Sequence, residues 1–176
     1  MKKSTLSALL LCAGVMAVPA VHAADHSVSA GYAQSKVRDF KDIRGVNVKY
    51  RYEGGIPVGL ITSFSYMKGE RNYSESWEGE HLRGKEDTRY WSLLAGPALR
   101  VSDLVSVYAL AGAGSAKSEI KEAGMGGASK TKTGFAWGAG VQFNPVKNVV
   151  IDVGYEGSRV SSVAINGFNV GVGYRF

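Results

Sequence analysis

The last nine residues, Phe168, Asn169, Val170, Gly171, Val172, Gly173, Tyr174, Arg175 and Phe176, constrain this chain more than any other stretch. In a strand, successive side chains point to opposite faces. One face would carry Phe168, Val170, Val172, Tyr174 and Phe176; the other would carry Asn169, Gly171, Gly173 and Arg175. The first face suits hydrocarbon and the second a narrow polar interior. A strand of about 9 to 11 residues crosses a bilayer when tilted. The segment therefore reads as the closing strand of a membrane barrel.

The same alternation recurs near residues 27–35, 45–53, 57–67, 88–101, 104–116, 133–144 and 149–157, which makes eight segments in all. The second is the plainest, with Val46, Val48, Tyr50 and Tyr52 on one face and Asn47, Lys49, Arg51 and Glu53 on the other. Short turns (Glu53-Gly54-Gly55, Ser102-Asp103, and 144–148 with its Asn and Pro) alternate with longer polar stretches at 36–44, 68–87, 117–132 and 158–167. Short turns on one side and long loops on the other mark an outer-membrane barrel. An even strand number places both ends in the periplasm and the four long loops outside. Tyr52, Tyr66, Trp91, Phe143, Phe168 and Phe176 sit near strand ends, where interfacial aromatic girdles belong. Mean hydropathy near zero does not oppose this, because lipid-facing and lumen-facing residues cancel in any window.

The N-terminus fits export. Lys2 and Lys3 precede an apolar core over residues 6–18, and Val21-His22-Ala23 offers a cleavage site, so residues 1–23 read as a signal peptide and 24–176 as one barrel domain. The only cysteine, Cys12, lies in the leader, leaving no disulfide or thiolate site in the mature chain. Losing Lys2 and Lys3 reduces the net charge of +6 to about +4. That mild excess fits anionic lipid, a sulfated glycan or an ordinary solvated surface; an exported chain is not expected to meet nucleic acid.

In lipid every backbone donor and acceptor must be paired, so the sheet has to close, and eight strands leave an interior that side chains fill. Lys49, Arg51, Glu53, Arg100, Asp152, Glu156 and Arg175 fall on inward phases. Buried charges need partners, so these residues are expected to form a salt-bridged plug; the lesser alternative is a small channel. The competing architecture, a soluble antiparallel sandwich, would expose an unsuitably glycine-rich and charged face.

Several blocks resemble the Ail/Lom/PagC/OmpX family of enterobacterial outer-membrane proteins: Gly31-Tyr32-Ala33-Gln34-Ser35, the stretch 47–53, Ala95-Gly96-Pro97-Ala98, the stretch 138–145, and the terminal Gly171 to Phe176. Residues 31–53 and 132–156 resemble its PagC and Rck branch most. The resemblance implies an all-β, eight-stranded antiparallel transmembrane barrel in the cell outer membrane, with strands that extend past the membrane on the outside. It implies adhesion, invasion, complement resistance or survival in phagocytes, carried by external loops. Phe176 resembles the signal read by the barrel-assembly machinery.

The loops hold the candidate contacts. Lys36, Arg38, Phe40, Lys41 and Arg44 in the first would face lipopolysaccharide phosphates, a sulfated glycan or a host protein. Arg71, Tyr73 and Trp77 in the second, and Lys121, Lys130 and Lys132 in the third, complete the set. Exposed Tyr and Trp serve as interface anchors or pack to order a loop. Expected partners are outer-membrane lipid, lipopolysaccharide, host extracellular-matrix or complement-regulatory proteins, and the assembly machinery. Neither His26 nor His81 has a partner at metal-ligand spacing, and no enzyme or cofactor is expected. The alternative function is a structural protein supporting the envelope without a specific host ligand.

Overall fold

A computed structural model describes residues 25–37, 42–77, 80–122, 125–160 and 163–176, with backbone alone over 70–86 and 118–130. The leader and Arg38, Phe40 and Lys41 lie outside the described residues. Eight strands follow in order: β1 Asp25–Val37, β2 Ile43–Glu53, β3 Val58–Trp77, β4 Glu80–Arg100, β5 Val105–Glu122, β6 Met125–Phe143, β7 Val149–Val160 and β8 Val163–Arg175. Each pairs antiparallel with its neighbours in sequence, and β8 closes against β1, with Ser27 opposite Arg175 and Val37 opposite Ile165. The result is a closed barrel.

The strands run further than their apolar alternation. Residues 68–87, expected as a loop, are paired strand: β3 and β4 stay in register from Val58 opposite Leu99 to Trp77 opposite Glu80. Residues 117–132 are likewise largely paired, with Lys117 opposite Thr131 and a register shift only between Ile120 and Glu122. Within 158–167 the pairing reaches Val160 opposite Val163. The physical reason is simple. Beyond the lipid both faces of a strand meet water, so the hydrophobic alternation stops while the hydrogen-bond ladder continues. β3 and β4, at 20 and 21 residues, exceed the roughly 10 that a spanning strand needs. They form a four-stranded sheet with β5 and β6 that rises from the end opposite the chain termini.

Side chains divide as the strand period demands. Leu60, Leu93, Val107, Val141, Val153 and Val172 are exposed on the outer wall. The interior is less uniformly polar than a charged plug implies. Ile61, Leu94, Ala98, Tyr108, Leu110 and Ala136 pack on the β3–β6 side, and Ala33, Ile43, Met67, Tyr90, Val160 and Ile165 form a second cluster beneath the hairpins.

Closure depends on a close approach at the seam. Gly31 on β1 lies opposite Gly171 on β8, and a Cβ on Gly31 would come 2.0 Å from the Val170 carbonyl oxygen and 2.3 Å from the Gly171 Cα. Gly31→Val is expected to prevent closure. An unboiled sample should then lose the mobility shift that a folded barrel shows on a denaturing gel, while Ala30→Val, on the exposed phase, keeps it.

Candidate functional site

The interior network starts from β2. Asn47, Lys49, Arg51 and Glu53 are alternate residues of one strand, hence on one face, and all four are buried. Toward the chain termini, Glu53 is the shared acceptor. Arg100 donates to it through Nη2 at 2.5 Å and Nε at 3.1 Å. Arg51 donates through Nη2, and its Nη1 reaches Gln142 Oε1 at 3.0 Å. Arg175 stands 3.7 Å from Glu53 and is paired with Asp25.

Further in, Lys49 Nζ donates to Asp152 Oδ1 at 2.5 Å, Asn169 Oδ1 at 2.6 Å and Asn47 Oδ1 at 2.7 Å. The Tyr108 hydroxyl donates to Asp152 at 3.1 Å, and Lys49 Nζ lies 5.5 Å from the centre of its ring. This needs Gly154, where a Cβ would meet the Tyr108 hydroxyl at 2.5 Å. Asn47 Nδ2 donates to Ser65, which donates to Glu156 at 2.8 Å; Tyr90 donates to the other Glu156 oxygen at 3.1 Å. Lys49, Arg51, Arg100 and Arg175 are thus matched by Asp25, Glu53, Asp152 and Glu156. The arrangement stiffens and fills the barrel. Among the described residues no group of three His, Cys, Asp or Glu is placed to hold a metal.

The outer wall carries a second constellation. Arg44 on β2 lies directly opposite Lys68 on β3, Lys68 opposite Arg89 on β4, and Arg89 opposite Lys117 on β5. Arg44, Lys68 and Arg89 are exposed and Lys117 half-buried. The row sits just past Tyr66 and Trp91, themselves a facing pair, and Lys68 Nζ is 5.6 Å from the Tyr66 ring centre. Lys36 and Arg159, also exposed, extend the positive belt onto β1 and β7. Acids stand beside it: Asp42, which accepts from Gln34 at 2.8 Å, and half-buried Asp87, which lies opposite Glu70 on β3 and Glu119 on β5, two positions beyond Lys68, Arg89 and Lys117. Like charges facing one another across strands destabilise a sheet. The neighbouring acids offset part of that cost, and the exposed Arg44, Lys68 and Arg89 at the rim of the aromatic band present positive charge to an anionic ligand.

The structure brings Lys36 and Arg44 into this belt and sets exposed Lys132 on β6 opposite Ala116. Arg71, Tyr73, Trp77, Lys121 and Lys130 fall on paired strand of the raised sheet, opposite Glu86, Gly84, Glu80, Lys85 and Ser118. Lys68, Arg89 and Lys117 were not singled out from sequence. For Lys68 and Arg89 the signal was a base two positions from an aromatic on the same phase, as in Tyr66-Met67-Lys68 and Arg89-Tyr90-Trp91; Lys117, between Ser115 and Glu119 on its phase, carries no such signal. Phe176 ties the chain end into the seam. Its N–H donates to the His26 carbonyl at 2.8 Å and its carbonyl accepts from His26 at 2.9 Å, with the two rings stacked 5.8 Å apart.

Comparison with known proteins agrees along the whole length. The outer membrane protein beta-barrel domain family matches residues 5–176. The virulence membrane protein PagC of Salmonella typhimurium is 54% identical, covering 100% of both chains. Outer membrane protein X of Escherichia coli K12 is 39% identical, also covering 100% of both. The crystal structure of Ail, the attachment invasion locus protein of Yersinia pestis, in complex with the heparin analogue sucrose octasulfate superposes with a TM-score of 0.77 at 40% identity, covering 87% of this chain and 99% of that one.

Proposed function

From the premise that the chain belongs to the Ail/PagC/OmpX family of outer-membrane β-barrels, we propose that it is a surface adhesin and serum-resistance protein whose raised sheet meets host molecules. It is a non-enzymatic outer-membrane barrel related to virulence proteins, crossing the membrane with eight strands. The observation that carries the proposal is the height of the β3–β4 hairpin. A strand adds about 3.3 Å per residue, so some ten surplus residues tilted near 40° lift it about 25 Å above the membrane. A purely spanning barrel has no use for such a platform. In this reading residues 1–23 are the export leader, the termini face the periplasm, the hairpins face outward, and Phe176 addresses the chain to the assembly machinery.

The partners that fit are sulfated glycans and host extracellular-matrix or complement-regulatory proteins. The Ail relative that holds a heparin analogue supports this class. The test trims the hairpin where its register allows. Glu70 lies opposite Asp87, so residues 71–86 can be replaced by Asn-Gly, a two-residue hairpin turn. Cells carrying the trimmed barrel should lose host-cell attachment and survival in serum at least tenfold, with the heat-dependent gel shift intact. Unchanged attachment and survival would overturn the proposal.

The cationic row favours a complementary structural role, holding lipopolysaccharide phosphates around the barrel. A base near an anionic membrane surface contributes about 1 kcal/mol. Lys68→Gln with Arg89→Gln should therefore weaken lipopolysaccharide binding by about 2 kcal/mol, roughly 30-fold. Titrating the purified barrel with lipopolysaccharide in mixed micelles checks this, and the difference should shrink as salt is raised.

A further inference from the structure

The lumen changes character at one level. The inward residues of β2 run Glu53, Arg51, Lys49, Asn47 and Gly45, and the series ends on Ile43. Ile43 belongs to a cluster with Ala33, Met67, Tyr90, Val160 and Ile165, and Ala116 packs against it. Among the described residues, this layer draws a side chain from β1, β2, β3, β4, β5, β7 and β8, seven of the eight strands. Register sets part of it abreast: Met67 lies opposite Tyr90, and Tyr90 opposite Ala116. The fit is close. A Cβ on Gly69 would come 2.5 Å from Ile43 Cγ2, and one on Gly114 would come 2.5 Å from the Tyr90 hydroxyl.

The other apolar cluster does not reach round the barrel. Ile61, Leu94, Ala98, Tyr108, Leu110 and Ala136 come from β3 to β6 alone. Beside it, on the β2, β7 and β8 wall, Lys49 is bonded to Asp152 and Asn169. The lumen therefore keeps a polar side along its length until the Ile43 layer, which closes it all round.

On the terminus side of that layer the polar groups are continuous. Tyr90 and Ser65 donate to Glu156 directly beneath it. The Lys49–Asp152 pair follows, then Glu53 with Arg100. A cavity of about 750 Å³ opens at the end that carries the termini, lined in part by Arg100, Arg175, Asn144 and Lys147. Along this route Asp152 Oδ2, Arg51 Nε and Ser106 Oγ are buried without a hydrogen-bond partner among the described residues. Polar interiors of this kind hold water, whereas apolar ones stay dry. Hydrophobic constrictions close a pore by excluding water. We propose that the layer of Ile43, Met67 and Tyr90 is a hydrophobic seal. The lumen beneath it is hydrated from the terminus end, periplasmic in the orientation given above, and this layer keeps the barrel from being a through-going water path.

Osmotic shrinkage of proteoliposomes, followed by stopped-flow light scattering, tests this. The unaltered barrel should pass water no faster than protein-free vesicles. Ile43→Ser with Met67→Ser should raise the flux per barrel by on the order of tenfold, as a wetted constriction no longer excludes water. Ile61→Ser with Leu94→Ser makes a like change in the one-sided cluster and should leave the flux where it was. The heat-dependent gel shift confirms that each variant is folded, and Met67→Ser alone carries the test if the double variant fails it. Water flux through the unaltered barrel would overturn the seal. So would a folded layer variant as tight as the unaltered barrel, or equal leakage from both pairs of substitutions.

Discussion

Glu53→Gln should lower the thermal unfolding midpoint of the barrel by on the order of 10 °C. Glu53 is buried and serves three guanidiniums, Arg51, Arg100 and Arg175. Glutamine keeps the shape but removes the charge they share. Breaking a buried ion pair by removing one partner costs about 3–5 kcal/mol, and about 2–4 °C is lost per kcal/mol in a domain of this size. Most of the effect falls on Arg51, whose side chain is 2% exposed. Arg175 contributes least, because it stands 3.7 Å away, is 21% exposed and has Asp25 as its own partner. Gel shift or tryptophan fluorescence against temperature gives the midpoint.

Lys49→Met should be comparably harmful, and a second substitution should reverse much of the loss. Lys49 and Asp152 are 3% and 1% exposed at 2.5 Å. Methionine leaves the Asp152 carboxylate with the Tyr108 hydroxyl as its side-chain donor among the described residues, at about 3–5 kcal/mol for an uncompensated buried charge. In Lys49→Met with Asp152→Leu the orphan charge is gone, and replacing a buried pair by apolar groups is often neutral. A double variant that unfolds well above Lys49→Met alone separates the penalty of the orphan from the net worth of the pair.

The barrel and its strand phases are legible in the sequence because lipid imposes a strict period on one face. Val46, Val48, Tyr50 and Tyr52 face outward for that reason, and the intervening Lys49, Arg51 and Glu53 lie inside. Pairing across the seam was legible too, since eight alternating segments leave β8 only β1 to close against.

Three features were hidden from the residue pattern itself. The height of the hairpins was implied by the family resemblance alone; residues 68–87, read as a loop, meet water on both faces and carry no alternation, although they pair residue for residue. The interior apolar clusters were missed because the inward phase was read for its charges and glycines, and buried Leu94 beside exposed Leu93 gives no sign in sequence of what it packs against. The cationic row depends on cross-strand register. Arg44, Lys68, Arg89 and Lys117 are scattered along the chain and meet only once their strands are aligned.

Binding of a host extracellular-matrix protein by the purified barrel in lipid nanodiscs, comparing the full chain with the variant in which Asn-Gly replaces residues 71–86, tests the central claim most directly. The raised sheet as the recognition surface predicts saturable binding by the full barrel and a loss of at least tenfold on trimming, about 1.4 kcal/mol, with both proteins showing the same heat-dependent gel shift. Equal affinity for the two folded barrels would contradict it.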